Sequence, residues 1–309
     1  MKTMEKFNAK IKEVVKKCEG KNVILYGYGE SGQFLEWYFQ RIYRKEFVCV
    51  IDDTVCIPGR SIQRTIVLEY INPDDTILLS SVSAKDIPKV SLSRMNAYGY
   101  KDRENIIFLT DEIAPIEFSF YDWMEYDCGA DFKTKVNTKD FDYEAGDATA
   151  SGPSRQRSLF DICRITGMMK EPVLDFGCGK GAALAIMLAA GIKEVDGIEK
   201  SEKLSSIART NMNKIDGEMV NVFHMDATEA TDLLDGYNTF YLYDPFRGDT
   251  FRKVIDNIED SVRRTKRHVR IIYANPWLHK EVEKNGIFRL TKQVDSEFFL
   301  NIVNKYENI

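Results

Sequence analysis

The run Val173-Leu174-Asp175-Phe176-Gly177-Cys178-Gly179-Lys180-Gly181, leading into the apolar stretch Ala182 to Ala190, constrains the fold more than any other part of this 309-residue chain. A short apolar strand gives way to three alternating glycines, and glycine is the residue that lets backbone turn left-handed or approach a ligand closely. A helix-length apolar stretch follows at once. Strand, glycine turn and helix in that order form one half of a βαβ unit, so the chain must contain a mostly parallel α/β sheet.

The alternation continues downstream. Strands are predicted at Val173 to Phe176, Glu194 to Ile198, Val220 to His224, Thr239 to Tyr243 and His268 to Tyr273, with a helix starting near Ser154 before them. Two closing strands, near Phe288 to Gln293 and Phe298 to Val303, are close enough to pair as an antiparallel hairpin.

A chain of this length is comfortable as two domains. Met4, Phe7, Ile11, Val14, Val15 and Cys18 recur at helical spacing against a lysine-rich face and predict an amphipathic helix ending at Gly20. A second βαβ pattern follows: Val23 to Tyr26, a glycine turn, a helix from about Glu30 to Arg44 and a strand Phe47 to Ile51. Further buried strands are expected at Thr76 to Leu79 and Ile106 to Leu109. The predicted organisation is an accessory domain over residues 1–110, a connecting segment over 111–152 and a second α/β domain over 153–309.

That connecting segment is acidic and aromatic, with Phe118, Phe120, Tyr121, Trp123, Tyr126, Phe132, Phe141 and Tyr143. So many rings argue that it buries them, either between domains or as a lid over a substrate.

Composition excludes several classes. The net charge of −5 gives no global attraction to nucleic acid. The apolar runs fall short of the roughly 20 residues of a membrane span, and the N-terminus lacks an apolar signal core, so a cytoplasmic location and no membrane partner are expected. Six cysteines without a C-x-x-C pair and only three histidines point to reduced thiols and no metal. The basic run Arg263 to His268 reads as a solvated helix end rather than a nucleic-acid patch.

The strand–acid–glycine run resembles motif I of class I S-adenosylmethionine-dependent methyltransferases. A strand-end carboxylate suits a cofactor that carries a sulfonium and an ammonium, whereas a pyrophosphate site would not place an acid there. The match continues in order. Val195-Asp196-Gly197-Ile198-Glu199 ends in an acid about 20 residues past the glycines, and in this family such an acid accepts from both ribose hydroxyls. His224-Met225-Asp226-Ala227 falls where the family reads the adenine amino group, and Phe240 to Tyr243 runs into Asp244-Pro245-Phe246 at the motif IV position. The resemblance implies S-adenosyl-L-methionine as cofactor, held by Asp175, Gly177, Cys178, Gly179, Gly181, Glu199, Lys200, Asp226, Ala227 and Asp244. It implies methyl transfer, an in-line displacement in which the enzyme aligns the acceptor and manages its proton.

At the acceptor end Asp244-Pro245-Phe246 looks like part of the Asp/Asn-Pro-Pro-aromatic motif of amino-group methyltransferases, though with one proline. Asn275-Pro276-Trp277 repeats the polar-Pro-aromatic pattern after the fifth strand, as pocket wall or as a strand-ending turn. Asp244 is expected to orient or deprotonate the acceptor, with Tyr243 and Asn275 shaping its pocket; His224 and His279 are weaker candidates. The expected acceptor is a small molecule, with a nucleotide-linked sugar in front. A protein or nucleic-acid substrate and a non-catalytic scaffold remain alternatives, and a homo-oligomer is left open.

Tyr26-Gly27-Tyr28-Gly29-Glu30-Ser31-Gly32 is a G-x-G-x-x-G between strand and helix, with Asp52-Asp53 closing the next strand. This fits a dinucleotide fingerprint with Gly27, Gly29, Gly32 and Asp52 as its nucleotide site. With Thr54 to Ile62 the domain resembles the front domain of sialic-acid and nucleotide-sugar acyltransferases. It either binds a nucleotide or nucleotide-sugar or serves partner contact. The fold class expected for the whole is α/β, two tandem Rossmann-like domains, the second a seven-stranded class I methyltransferase sheet with a C-terminal antiparallel hairpin.

Overall fold

Alternating apolar runs and glycine turns build two separate sheets. The computed structural model describes residues 2–55, 61–109, 121, 124–125, 128–153, 159, 162–163, 165–168, 171–216, 220–294 and 302–308, and the chain divides into two compact units, Met1–Asp122 and Trp123–Ile309.

In the first unit, helix α1 (Lys2–Lys17) precedes strand β1 (Asn22–Tyr26), helix α2 (Glu30–Tyr43), β2 (Cys49–Ile51), β3 (Thr76–Ser80), α3 (Lys89–Ala97) and β4 (Ile106–Phe108). The four strands pair in the order β2-β1-β3-β4, all parallel. Helix α1 turns Ile11, Val14, Val15 and Cys18 inward, as their helical spacing requires. The strands are apolar on both faces because helices and 3₁₀ turns cover them. Gly32 sits where α2 crosses the end of β1, and a Cβ there would lie 2.0 Å from the carbonyl oxygen of Gly27.

The second unit opens on an extended segment, residues 128–153, followed by β5 (Val173–Phe176), α4 (Ala182–Ala189), β6 (Val195–Glu199), α5 (Glu202–Asp216), β7 (Val222–His224), β8 (Thr239–Tyr243), α6 (Gly248–Arg264), β9 (Arg270–Ala274), the short α7 (His279–Glu283), β10 (Phe288–Val294) and β11 (Val303–Asn308). The sheet order is β10-β11-β9-β8-β5-β6-β7. Five strands are parallel, and β11 inserts antiparallel between β9 and β10. This is the seven-stranded class I methyltransferase topology, with the expected terminal hairpin.

One core of this unit lies on one face of the sheet. Leu174, Phe176, Phe240, Leu242, Ile271 and Tyr273 alternate along their strands and meet Phe251, Val254, Ile255 and Ile258 of α6. The opposite phase sends Asp175, Tyr241 and Tyr243 to the other face.

The described part of the last strand is Val303–Asn308, in which Val303 pairs with Ala274, Val303 and Tyr306 bury and Glu307 meets Arg270 at 3.2 Å. The expected strand Phe298 to Val303 lies, up to residue 301, outside the described residues. Residues 295–301, the helix start at 154–158, most of the predicted aromatic stretch 110–127 and residues 56–60 lie outside the described residues.

The basic run at the end of α6 is engaged internally. Arg264 donates to Asp235 at 2.8 Å, Arg263 to Asp260 at 2.6 Å, and Arg267 to the carbonyls of Tyr237 and Leu234 at 2.9 and 2.7 Å. Among the described residues no helix is long and apolar enough to cross a membrane.

The crowding at Gly32 gives a controlled test of the first unit. Gly32→Ala is expected to cost about 3 kcal/mol or more, because the neighbour is backbone and cannot yield. Gly29→Ala, with open space around it and φ −68, is expected to stay within about 0.5 kcal/mol of wild type. Denaturant unfolding of the two variants checks both.

Candidate functional site

The turn after β5 is built by backbone that side chains would obstruct. Gly177 and Gly179 have φ of 73 and 56. A Cβ on Gly177 would meet Pro245 at 2.7 Å, and one on Gly179 the Ser151 hydroxyl at 2.6 Å. Amides of Gly177 and Cys178 both donate to the Ile198 carbonyl, at 2.9 and 3.0 Å, which pins the turn against β6. Gly181 then caps α4 in the left-handed conformation.

Two carboxylates are buried beside this turn. Asp175 is 3% exposed and Glu199 6%. Glu199 accepts the amide protons of Gly179 at 3.0 Å and Ser201 at 2.8 Å. Burial, and then the charge of Glu199, pushes the Asp175 carboxyl well above the usual aspartate range. Burial also raises Glu199, although its amide donors pull the other way. Among the described residues neither carboxylate has a cationic partner. Such a pair is costly to hold ionised without a ligand that brings positive charge or donors.

The remaining strand ends complete a cavity of about 370 Å³ in the second unit. Asp175, Gly177, Cys178, Gly179, Glu199, Lys200, Asp226, Ala227, Tyr243, Asp244 and Asn275 all line it. Of the residues expected here, only Gly181 stands behind the wall. Cys178 is buried, and burial followed by Asp175 and Glu199 pushes its thiol well up, so it is an inert wall group.

Two expected ligand groups are already occupied by protein. Asp226 accepts Thr228 N and Oγ1 at 2.9 and 2.7 Å, and its other oxygen meets Lys200 Nζ at 2.8 Å. Burial works to raise its pKa, but the Lys200 and Thr228 bonds outweigh it and hold the carboxyl below the ordinary range. Asp244 receives Arg247 through Nε at 3.2 Å and Nη2 at 2.8 Å. Its carboxylate is therefore a paired ion, not a free base.

Asp244 and Asn275 share a second property. Both have positive φ, 42 and 54, and they leave the sheet side by side, since Tyr243 pairs with Ala274. Strained backbone at two adjacent strand ends marks a place where side-chain direction matters more than stability. His224 lies away from this end, its Nε2 3.1 Å from the Lys200 carbonyl oxygen, and His279 starts the short α7.

Sequence reasoning assigned no site residue to the segment that closes the cavity. Residues 132–153 form a strap, joined to itself by the Val136–Ser151 bridge and to the turn after the central strand β8 by Ala148–Phe246. Thr149 Oγ1 donates to the Asp244 carbonyl at 2.5 Å, and the Asp147 carbonyl accepts the amide of Arg247 at 2.9 Å. Lys180 Nζ reaches Asp131 at 2.7 Å while Asn211 donates to the carbonyls of both Asp131 and Lys180 at 2.9 Å. Phe141 and Tyr143 stack at 5.1 Å and line the cavity, with Lys200 Nζ 5.1 Å over the Tyr143 ring. The density of aromatic residues was the available signal, but without periodicity it pointed to no partner.

In the first unit Gly27 takes φ 84 and its carbonyl accepts the Ser81 hydroxyl at 2.8 Å. Asp52 accepts the amide of Tyr28 at 2.7 Å on one oxygen and three donors from Thr54 and Val55 at 2.8 Å on the other. Those bonds staple the glycine loop to the following turn and engage both carboxylate oxygens. Among the described residues no cluster of acids, histidines and cysteines could hold a metal ion.

The family model of protein-L-isoaspartate(D-aspartate) O-methyltransferase matches residues 130–245, the strap and the first four strands of the sheet. No curated protein matches the chain. Similar solved structures include an RNA methyltransferase from Salinibacter ruber in complex with S-adenosyl-L-homocysteine, at 15% identity over 50% of this chain and 93% of that one, TM-score 0.38. Magnesium protoporphyrin IX methyltransferase from Synechocystis PCC 6803 with bound SAM is also similar, at 15% identity over 50% and 79%, TM-score 0.40. So is a ribosomal protein L11 methylase from Lactobacillus delbrueckii subsp. bulgaricus, at 11% identity over 50% and 76%, TM-score 0.38.

Proposed function

We propose that the second unit transfers a methyl group from S-adenosylmethionine to a small-molecule acceptor. The observation that carries this reading is the pair Asp175 and Glu199, buried without a cationic partner among the described residues, around a glycine turn at the mouth of a cavity. A ligand with a positive tail and a ribose supplies what the two carboxylates lack, a charge for one and two hydroxyl donors for the other. A pyrophosphate supplies neither.

When bound, that cofactor contributes a methyl carbon already activated by its sulfonium. The chain's own residues then have three tasks. Glu199 and Asp175 hold the two halves of the cofactor. The strap residues Thr149 and Ser151, packed on Asp244 and Gly179, exclude water from the cavity. Tyr243, Asp244 and Asn275 set the direction from which an acceptor approaches, which is the main contribution an in-line displacement needs. Asp244, already bound by Arg247, acts by orientation and not by proton abstraction. The first unit is read as an accessory module whose Rossmann-like sheet suits a nucleotide-linked sugar, and a protein or nucleic acid is the alternative acceptor.

Calorimetric titration with S-adenosylhomocysteine tests the assignment. The intact protein is expected to bind it with micromolar affinity, and Glu199→Ala to weaken binding at least about 30-fold, as loss of two charge-assisted hydrogen bonds implies. Absence of binding to the folded protein overturns the assignment.

Asp175 gives a second test with an opposite sign for stability. Its folded pKa is raised, so its contribution is fully present below the unfolded aspartate value and is lost as pH rises toward the folded one. Asp175→Asn is therefore expected to raise Tm at pH 8, with the advantage shrinking as pH falls toward 4, while weakening S-adenosylhomocysteine. Thermal unfolding of both proteins across that range checks the sign.

A further inference from the structure

We propose that Arg247 and Trp277 form the acceptor-recognition edge of the cavity, and that the acceptor carries an anionic group, phosphate or carboxylate, apart from the atom that is methylated. This rests on the methyltransferase reading of the same site.

Trp277 is 69% exposed, so it is not the packed turn residue that a strand end usually provides. The Arg247 guanidinium lies over its ring, 5.3 Å from the centroid. Arg247 itself is half exposed, and its Asp244 pair uses Nε and Nη2. Among the described residues nothing accepts from Nη1. A guanidinium fixed on two sides, by a carboxylate fork and an aromatic face, presents its remaining N–H groups in a set direction, which is the geometry that reads planar or tetrahedral anions.

Three further features aim this edge at the cavity. Asp244 and Asn275, which carry Arg247 and Trp277 respectively within three residues, both line it in strained backbone. Arg247 immediately precedes α6, whose N-terminal dipole is positive. Its amide is tied to the strap at Asp147, and its side chain reaches the cavity wall through Asp244, although neither Arg247 nor Trp277 lines the wall itself. The acids facing Arg247 are Asp244, which is paired with it, and Asp147, whose carboxylate receives Thr250 at 3.3 Å. Neither competes for Nη1. The pairing also explains Asp244: its charge orients Arg247, which leaves it a positioning residue.

The experiment uses the full chain saturated with S-adenosylhomocysteine, titrated with pyrophosphate, malonate and glycerol and followed by Trp fluorescence and calorimetry. One of the two anions is expected to bind in about the millimolar range and glycerol not at all; which anion binds distinguishes phosphate from carboxylate. Arg247→Gln is expected to weaken that anion about tenfold or more. Lys266→Gln, which removes an exposed cation elsewhere, is expected to leave it unchanged. Trp277→Ala removes a side chain that packs on little else, so it tests the same edge with the fold intact, and a threefold or greater loss is expected. Binding of neither anion by the S-adenosylhomocysteine complex, or equal loss in Lys266→Gln and Arg247→Gln, overturns the proposal. Failure of S-adenosylhomocysteine to bind, read before any anion is added, overturns the methyltransferase reading instead.

Discussion

Glu199 accepting the Gly179 amide is the contact around which the second unit is arranged. It joins the glycine turn after β5 to the end of β6, and with the Ile198 carbonyl holding Gly177 and Cys178 it fixes where the backbone bends. The cost is a carboxylate almost out of water, whose charge pushes a second buried one, Asp175, further above the usual aspartate range than burial alone does. A sheet built only for stability would place leucine or asparagine there. Retaining two acids in that position is the signature of a site in which stability has been traded for ligand binding.

Everything else in the unit supports that bend. The face of the sheet opposite Asp175 packs on α6 through Phe251, Val254, Ile255 and Ile258, which leaves the Asp175 face and the carboxyl ends of the strands to the cavity. The strap then closes it with the buried Phe132 and a set of directed bonds: Asp131 to Lys180 and Asn211, Asp142 to the amide of Lys203, Asp147 to Arg247, Thr149 to Asp244.

Much of this was legible in the residues. The strand–acid–glycine order located β5, the turn and α4, and the resemblance to the methyltransferase motifs carried the reading on to Glu199, Asp226 and Asp244, all of which line the cavity. The hairpin was legible too, and its described last strand, Val303–Asn308, is tied to β9 by Arg270 and Glu307. Asp52 and Asp226 show a different limit. A strand-end acid has the same spacing whatever its partners, and only the structure shows that Asp52 and Asp226 accept from Tyr28, Thr54 and Thr228 and that Asp226 also pairs with Lys200. The partners of the strap were not legible for a related reason: its contacts join residues about 50 to 100 positions apart in sequence, such as Asp131 with Lys180 and Thr149 with Asp244, and no local pattern records them.

The central claim is that the cofactor binds the second unit through the Gly177–Gly181 turn and Glu199, beneath the strap, and not through the glycine loop of the first unit. Amide hydrogen exchange with and without S-adenosylmethionine tests it most directly, because it reports both loops in one protein. The account predicts slowed exchange over residues 175–182, 197–201 and 141–151, with the Gly27–Gly32 loop unchanged. Protection confined to the first unit, or binding with no change around Gly179 and Glu199, would contradict it.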